Sequence, residues 1–297
     1  MSLNLHNIMD FSKSIIETIK ERSSWRTYSP EPVQGMKRDE LEQFIKLSDV
    51  STPFGINPED FRFHILSIPE FDPNEKKKIG TYGVIQGAQE FIVGAIKASE
   101  LDQENYGYLM ELIILKATEL DLGTCWLGGF FNRSLFAEKI NCTPKEIVPA
   151  ITPIGYPKDR RAKEKIIRII VRAKKRKPWE KLFFDGELNN PFLNNKKDLG
   201  NYSILLEMVR LGPSATNRQP WRIIKEKDED IFHFYIAPQK GRIGQIYETI
   251  TRLDIGIAVC HFDLCAKELN ALGKWEVRNP NIKGTEDYSY TISWFGK

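Results

Sequence analysis

The sequence lacks the raw material for several kinds of chemistry. Its 297 residues hold four cysteines (Cys125, Cys142, Cys260 and Cys265) and four histidines. No two cysteines form a CxxC pair or a regular framework, so reduced thiols in a cytoplasmic setting are expected. His6, His64, His233 and His261 are scattered; His261 and Cys265 stand one helical turn apart, a spacing that core packing explains more often than a metal does. No apolar run approaches the ~18–20 residues that a membrane span needs. The start, MSLNLHNIMDF, shows no charged-then-apolar leader pattern. A formal net charge of +3 is too small to argue for nucleic acid. There is no GxxxxGK[ST] loop and no GxGxxG. Neither a Ser-His-Asp arrangement nor a paired-carboxylate signature occurs, and Cys125 has no histidine near it in sequence, which favours a small buried residue over a nucleophile.

The chain does have ample apolar content, 41%, for a sizeable core. Apolar residues at three- and four-residue spacing predict helices at about 8–21, 36–49, 104–121, 131–140, 198–211 and 253–271. Strand-like runs fall at about 61–67, 89–96, 147–154, 221–226, 231–237 and 287–295. The two kinds of element are mixed without regular β-α-β alternation, which predicts an α+β fold.

Internal similarity adds organisation. STPFGINPEDFRF (51–63) lies over LGPSATNRQPWRI (211–223) at a constant offset of 160. Pro53 then meets Pro213, Asn57 meets Asn217, Phe61 meets Trp221 and Arg62 meets Arg222. RSSWR (22–26) lies over RKPWE (176–180), and ATELDLGTCW (117–126) over AKELNALGKW (266–275). Three pairs in the same order predict two equivalent halves, 1–165 and 166–297. Polar equipment survives once per motif, in opposite halves: Ser and Arg in RSSWR, Ser214 and Gln219 in the later loop. One good site and one decayed site are expected.

Three stretches carry candidate chemistry. In RSSWR, Arg22 and Arg26 with Ser23 and Ser24 between them offer charged and neutral donors to a doubly charged group such as phosphate; the same residues are also common at solvated helix ends. PSATNRQPW supplies a Ser hydroxyl, an Asn amide and turn N–H groups suited to the edge of a planar heterocycle, although an ordinary Asx-type turn reads alike. LGTCWLGGF (122–130) lets a flat ligand approach the backbone at Gly128 and Gly129, or simply marks a tight packing corner. The cationic run from Lys158 to Lys177 reads mostly as a solvated linker and helix face, with one or two cations that could reach a phosphate.

These stretches, with an IGYP strand at 154–157, resemble the FMN-dependent nitroreductase superfamily, and most closely its single-chain, internally duplicated branch of the TM nitroreductase type. The resemblance covers essentially the whole chain. It implies a nitroreductase-like fold, central mainly antiparallel sheets flanked by helices, with the fused halves forming a pseudo-dimer that binds one FMN between them. Carried over, Arg22, Ser23, Ser24 and Arg26 would contact the phosphate and near edge of the flavin. Pro213, Ser214, Ala215 and Asn217 would lie along it, Arg176 would add a late phosphate contact, and the backbone N–H groups of Leu127, Gly128 and Gly129 would face the flavin N5 region. Thr216 and Arg218 depart from the family's usual residues. The implied activity is hydride transfer from NAD(P)H through FMN to a nitroaromatic or quinone-like acceptor, with no side-chain acid or base required. An FMN carrier or sensor without turnover is the other reading. A small-molecule acceptor is the only partner class expected, with neither nucleic acid nor membrane; a monomer suffices, and a homodimer is also compatible.

Overall fold

A computed structural model describes residues 11–47, 50–68, 72, 74, 79–81, 84–129, 131–158, 175–192, 199–238 and 245–297. The chain falls into two compact units. One comprises Met1–Ser51, Ile56–Asp102 and Leu109–Ile170; the other comprises Thr52–Gly55, Gln103–Tyr108 and Val171–Lys297. The expected division between residues 165 and 166 lies outside the described residues.

In the first unit, helix α1 (Ile15–Glu21) starts at Ser14, whose side chain accepts from the Glu17 N–H. That bond satisfies one of the donors a helix start leaves open. Helix α2 (Met36–Phe44) follows. Strands β1 (Phe61–Ser67), β2 (Glu90–Lys97), β3 (Gly123–Thr124), β4 (Glu146–Ile147) and β5 (Ile151–Gly155) form a sheet in the order β1-β2-β5-β3, with β4 joined to β2. All its pairings are antiparallel. Helix α3 (Asp102–Glu119) is apolar around its whole circumference from Leu109 to Leu115 save for buried Glu111, as a core helix must be. Helix α4 (Arg133–Lys139) places Phe136 edge-on to Phe91 of β2 at 5.5 Å. The expected strand at 147–154 is two strands, β4 and β5, because Pro149 has no N–H to give a ladder.

In the second unit, β6 (Phe183–Asp185), β7 (Trp221–Lys225), β8 (Ile231–Ile236), β9 (Gly273–Glu276) and β10 (Ser289–Gly296) make a sheet in the order β6-β7-β8-β10-β9. Only β6, which runs parallel to β7, breaks the antiparallel pattern. Helix α5 (Tyr202–Leu211) presents Leu205, Leu206, Met208 and Val209 to the interior. Helix α6 (Gln245–Glu268) starts eight residues before its expected position, since ETITR hides the apolar period. Its Phe262 meets Phe232, Phe234, Trp275 and Trp294 in a ring cluster with centroids 5.5–5.7 Å away.

The two sheets share a plan. The order β1-β2-β5-β3 matches β7-β8-β10-β9 strand for strand, and β1 and β7 begin at Phe61 and Trp221, the pair brought together by the offset of 160. The long helices repeat as well. Gly107 of α3 and Gly256 of α6 are 149 positions apart, the same offset as Ala117 and Ala266. A Cβ on Gly107 would strike the Leu253 carbonyl, and one on Gly256 would strike the Glu104 carbonyl and come within 2.9 Å of the Tyr108 nitrogen. The two backbones therefore touch where both residues lack side chains. Arg252 pairs with Glu104 at 2.6 Å beside this crossing, and Tyr108 donates to Asp263 at 2.7 Å. Among the described residues no helix is long and apolar enough to cross a membrane.

Gly256→Ala tests this crossing. Overpacking against backbone costs about 1–3 kcal/mol, partly offset by about 1 kcal/mol of better helix propensity. The variant should lose about 1 kcal/mol in urea unfolding; an unchanged midpoint would show that the helices separate freely.

Candidate functional site

The first set of candidate residues sits beside β3. At Arg22 the backbone leaves helical geometry (φ −52°, ψ 126°), ending α1. The chain then runs along β3: Ser24 bridges Thr124 in parallel, and the Trp25 N–H donates to the Thr124 carbonyl at 2.8 Å. Tyr28 bridges Pro157, and its hydroxyl donates to the Trp25 carbonyl at 2.6 Å. Gly123 makes room, since a Cβ there would press on Trp25, Tyr28 and Pro157 at 3.1–3.2 Å. Leu127, three residues past Thr124, exchanges backbone bonds with Ile151 at 2.9 and 3.0 Å. Arg22–Arg26 and Leu127–Gly129 thus flank one short strand. Because the Leu127 N–H is taken by Ile151, the expectation of backbone donors aimed at a ligand passes to Gly128 and Gly129.

The two arginines differ. The Arg22 side chain is 5% exposed and lies 3.9 Å from the Glu111 carboxylate, itself wholly buried. Glu111 also accepts from the Trp126 indole at 2.7 Å. Burial pushes the Arg22 pKa down, while Glu111 and Cys125 pull it back up. Nε of Arg22, and Nε and Nη1 of Arg26, are buried and find no hydrogen-bond partner among the described residues. An unmet buried donor costs roughly 1–3 kcal/mol, more when charged. Donors of this kind, planar and permanently cationic, fit the phosphate of a flavin nucleotide as the acceptor they lack.

The second set is a closed turn in the second unit. Thr216, Asn217 and Gln219 all take left-handed backbone, at φ 49°, 56° and 49°. Such residues persist only where surroundings fix them, and here the bonds are plain. Ser214 Oγ accepts from the Gln219 N–H at 2.8 Å. Asn217 Oδ1 accepts from Arg176 Nη1 at 3.0 Å, and its Nδ2 donates to the Lys175 carbonyl at 2.7 Å. Arg176 also donates through Nη2 to the Leu211 carbonyl at 2.9 Å. The structure thus brings Arg176, Ser214 and Asn217 together, with Arg176 clamping the turn from the side. Pro213 is buried at its start.

Sequence reasoning missed three residues of this turn's support. The Ala215 N–H donates to both oxygens of Asp254 on α6, at 3.0 and 3.2 Å. Burial pushes the Asp254 carboxyl well above the usual carboxylate range, against the pull of the Ala215 N–H and Arg218. Gln219 takes the Lys177 N–H at 2.9 Å. Lys177 Nζ and Arg222 Nη1 each donate to the Gln219 carbonyl at 3.2 Å. The helix offset of 149 would have found Asp254: it falls on Asn105, which bonds Thr52 and the Gly55 carbonyl of the matching loop.

Half-burial, with Arg222, Lys181 and Arg218 nearby, lowers the Lys177 pKa to about 8 from 10.5. Between those values the unfolded chain holds a proton that the folded one does not, so this group's contribution to stability rises with pH there and its penalty is complete below about pH 8. Lys177→Met should flatten the climb in stability measured by urea unfolding from pH 8 to 10; equal slopes in both proteins would refute it.

The fold and these motifs place the chain among nitroreductase-like proteins. A family model described as "Putative TM nitroreductase" matches residues 14–266, and the chain belongs to that family. A nitroreductase structure from Thermotoga maritima aligns over 99% of both chains at 20% identity and TM-score 0.58. A nitroreductase family protein from Clostridium novyi covers 50% of this chain and 87% of its own, at 21% identity and TM-score 0.41. One from Desulfovibrio desulfuricans, solved in complex with FMN, covers 52% and 95%, at 23% identity and TM-score 0.39. No curated protein matches the chain.

Proposed function

We propose that this nitroreductase-family chain is an FMN-dependent oxidoreductase that takes hydride from NAD(P)H and passes it to nitroaromatic or quinone-like acceptors. The observation that carries the reading is the set of buried guanidinium nitrogens on Arg22 and Arg26 that no acceptor among the described residues meets. They want an oxyanion. Arg22, Arg26, Ser23 and Ser24 would hold the phosphate of FMN. The turn at Pro213, Ser214, Ala215 and Asn217, stiffened by Asp254 and Arg176, would bound the ring system, with the backbone at Leu127, Gly128 and Gly129 near its N5 edge. When bound, FMN supplies the hydride chemistry.

The protein's share is orientation. A turn with three left-handed residues already fixed gives up little conformational entropy when a flat ligand arrives. Arg22, tied to Glu111 by charge, keeps its side chain in place before a phosphate binds. The free cysteines agree with work in a cytoplasmic setting.

Purified protein should be yellow, and NADH or NADPH should bleach it without oxygen. Arg26→Ala should weaken FMN binding by about tenfold or more, as loss of a charge-assisted contact predicts. Yellow protein that neither nicotinamide reduces would remove the oxidoreductase reading and leave an FMN-binding module. Protein that takes up no FMN would remove both.

A further inference from the structure

The break between β4 and β5 leaves backbone carbonyls outside the ladder, and one side chain gathers them. Arg133, the first residue of α4, donates through Nε to the Val148 carbonyl at 2.8 Å and through Nη2 to the Pro149 carbonyl at 3.0 Å. Val148 and Pro149 are buried, and a buried carbonyl needs a donor. Nη2 also donates to the Gly128 carbonyl, again at 3.0 Å. The guanidinium lies 4.6 Å from the centre of the Phe131 ring. Its root is anchored next door, where Asn132 donates its N–H to the Ile79 carbonyl at 2.9 Å and accepts the Leu135 N–H at 3.2 Å. Helix stability does not account for this placement, because a cation in the first turn opposes the helix dipole.

A peptide unit between two glycines, such as 128–129, has little of its own to hold it. With no Cβ on either side it can turn over at small steric cost. Two contacts fix the stretch. Leu127 exchanges both backbone bonds with Ile151, and Arg133 takes the next carbonyl, that of Gly128. In a planar trans peptide the N–H points opposite to the C=O, so the Gly129 N–H is turned away from Arg133. Gly129 is exposed, and its N–H donates to no group among the described residues.

We propose that Arg133 is a positioning residue for the flavin: by holding the Gly128 carbonyl, it keeps the Gly129 N–H turned outward as a donor for N5 of FMN. This rests on FMN binding as proposed above, and it adds the side chain that decides which end of the 128–129 peptide the cofactor meets. With that peptide inverted, a carbonyl oxygen would stand where the N–H stands. N5 of oxidised flavin is itself an acceptor and would then face another acceptor. Arginine suits the task because its rigid planar fork serves three carbonyls from one fixed group, which a lysine ammonium on a flexible stem does not. A donor aimed in advance needs no rearrangement when charge builds on the ring.

The test titrates the full chain, freed of cofactor, with FMN and with 5-deaza-FMN, in which a C–H replaces N5 and the acceptor is gone. Isothermal titration calorimetry reads both affinities. The wild-type protein should prefer FMN about fivefold, the worth of one net hydrogen bond. In Arg133→Met that preference should fall below about twofold while 5-deaza-FMN binds as in wild type. Arg133→Gln, whose shorter amide cannot span the three carbonyls, should show the same collapse and is read where circular dichroism finds the methionine variant unfolded. Equal weakening of both cofactors would show that Arg133 only braces the loops, and that result overturns the proposal. A preference that survives the substitution, or wild-type protein that binds both cofactors equally, overturns it as well while leaving the FMN reading intact. Wild-type protein that binds neither cofactor removes both.

Discussion

The close approach of two helix backbones at Gly107 and Gly256 is the constraint on which the second unit depends. Packed helices ordinarily lie 8–10 Å apart because side chains hold them there. Two glycines at matched positions remove that spacer, and the carbonyls of Glu104 and Leu253 take the space. Their near neighbours then do specific work. Asn105, two residues before Gly107, reaches the loop at Thr52 and Gly55; Asp254, two before Gly256, reaches the loop at Ala215. The distance between the helices therefore sets where both loops rest. The Arg252–Glu104 pair, with the Glu104 side chain 4% exposed, fixes the crossing further, because leaving the buried Glu104 carboxylate without Arg252 would cost several kcal/mol.

The two copies solve one backbone problem differently. In the first loop the left-handed residue is Gly55, at φ 70°, where no Cβ penalty applies. In the second, Ala215 occupies the matching place and the left-handed turn shifts to Thr216, Asn217 and Gln219. Each of these has a side chain, so strain enters that glycine avoids. The chemistry of the supports follows. Asn105 both donates and accepts, as the Thr52–Gly55 loop needs; Asp254 can only accept while ionised, and it receives the Ala215 N–H with both oxygens. The strained copy is the one that Arg176, Lys177 and Asp254 hold from three sides. That is the arrangement expected of a turn kept for binding rather than for connection.

Much of this was legible in the sequence. β1 stands at its expected residues, 61–67, and β7, β8 and α3 lie within two residues of theirs, because alternating or continuous apolar runs with clear ends report burial directly. The three repeat pairs, at offsets of 154, 160 and 149, foretold equivalent strand plans because they follow one another in the same order in both halves. What escaped was short or relational. β3, with two residues, and β6, with three, are too brief for any periodicity. Asp254 and Glu111 stand out in no local pattern, since burial of a lone carboxylate in a long apolar helix is known only once its partners are placed. The resemblance offered Arg176 as a phosphate contact; its place beside Leu211 and Asn217 depends on folding that no local pattern encodes.

The divergence between the matched motifs RSSWR and RKPWE follows from the same electrostatics. In the first, Glu111 neutralises Arg22 at 3.9 Å, so the motif's remaining charge rests on Arg26, whose buried nitrogens are unmet among the described residues. In the second, Glu180 replaces Arg26, Pro178 replaces Ser24 and Lys177 replaces Ser23, so both hydroxyls are gone, an anion stands where Arg26 stood, and Lys177 supplies the second cation. Trp179 keeps its place but donates to Glu207 at 2.7 Å, much as Trp126 donates to Glu111. An oxyanion at the first motif would meet donors without partners among the described residues, while in the second Arg176 and Lys177 are already bound to the turn and Glu180 opposes an anion.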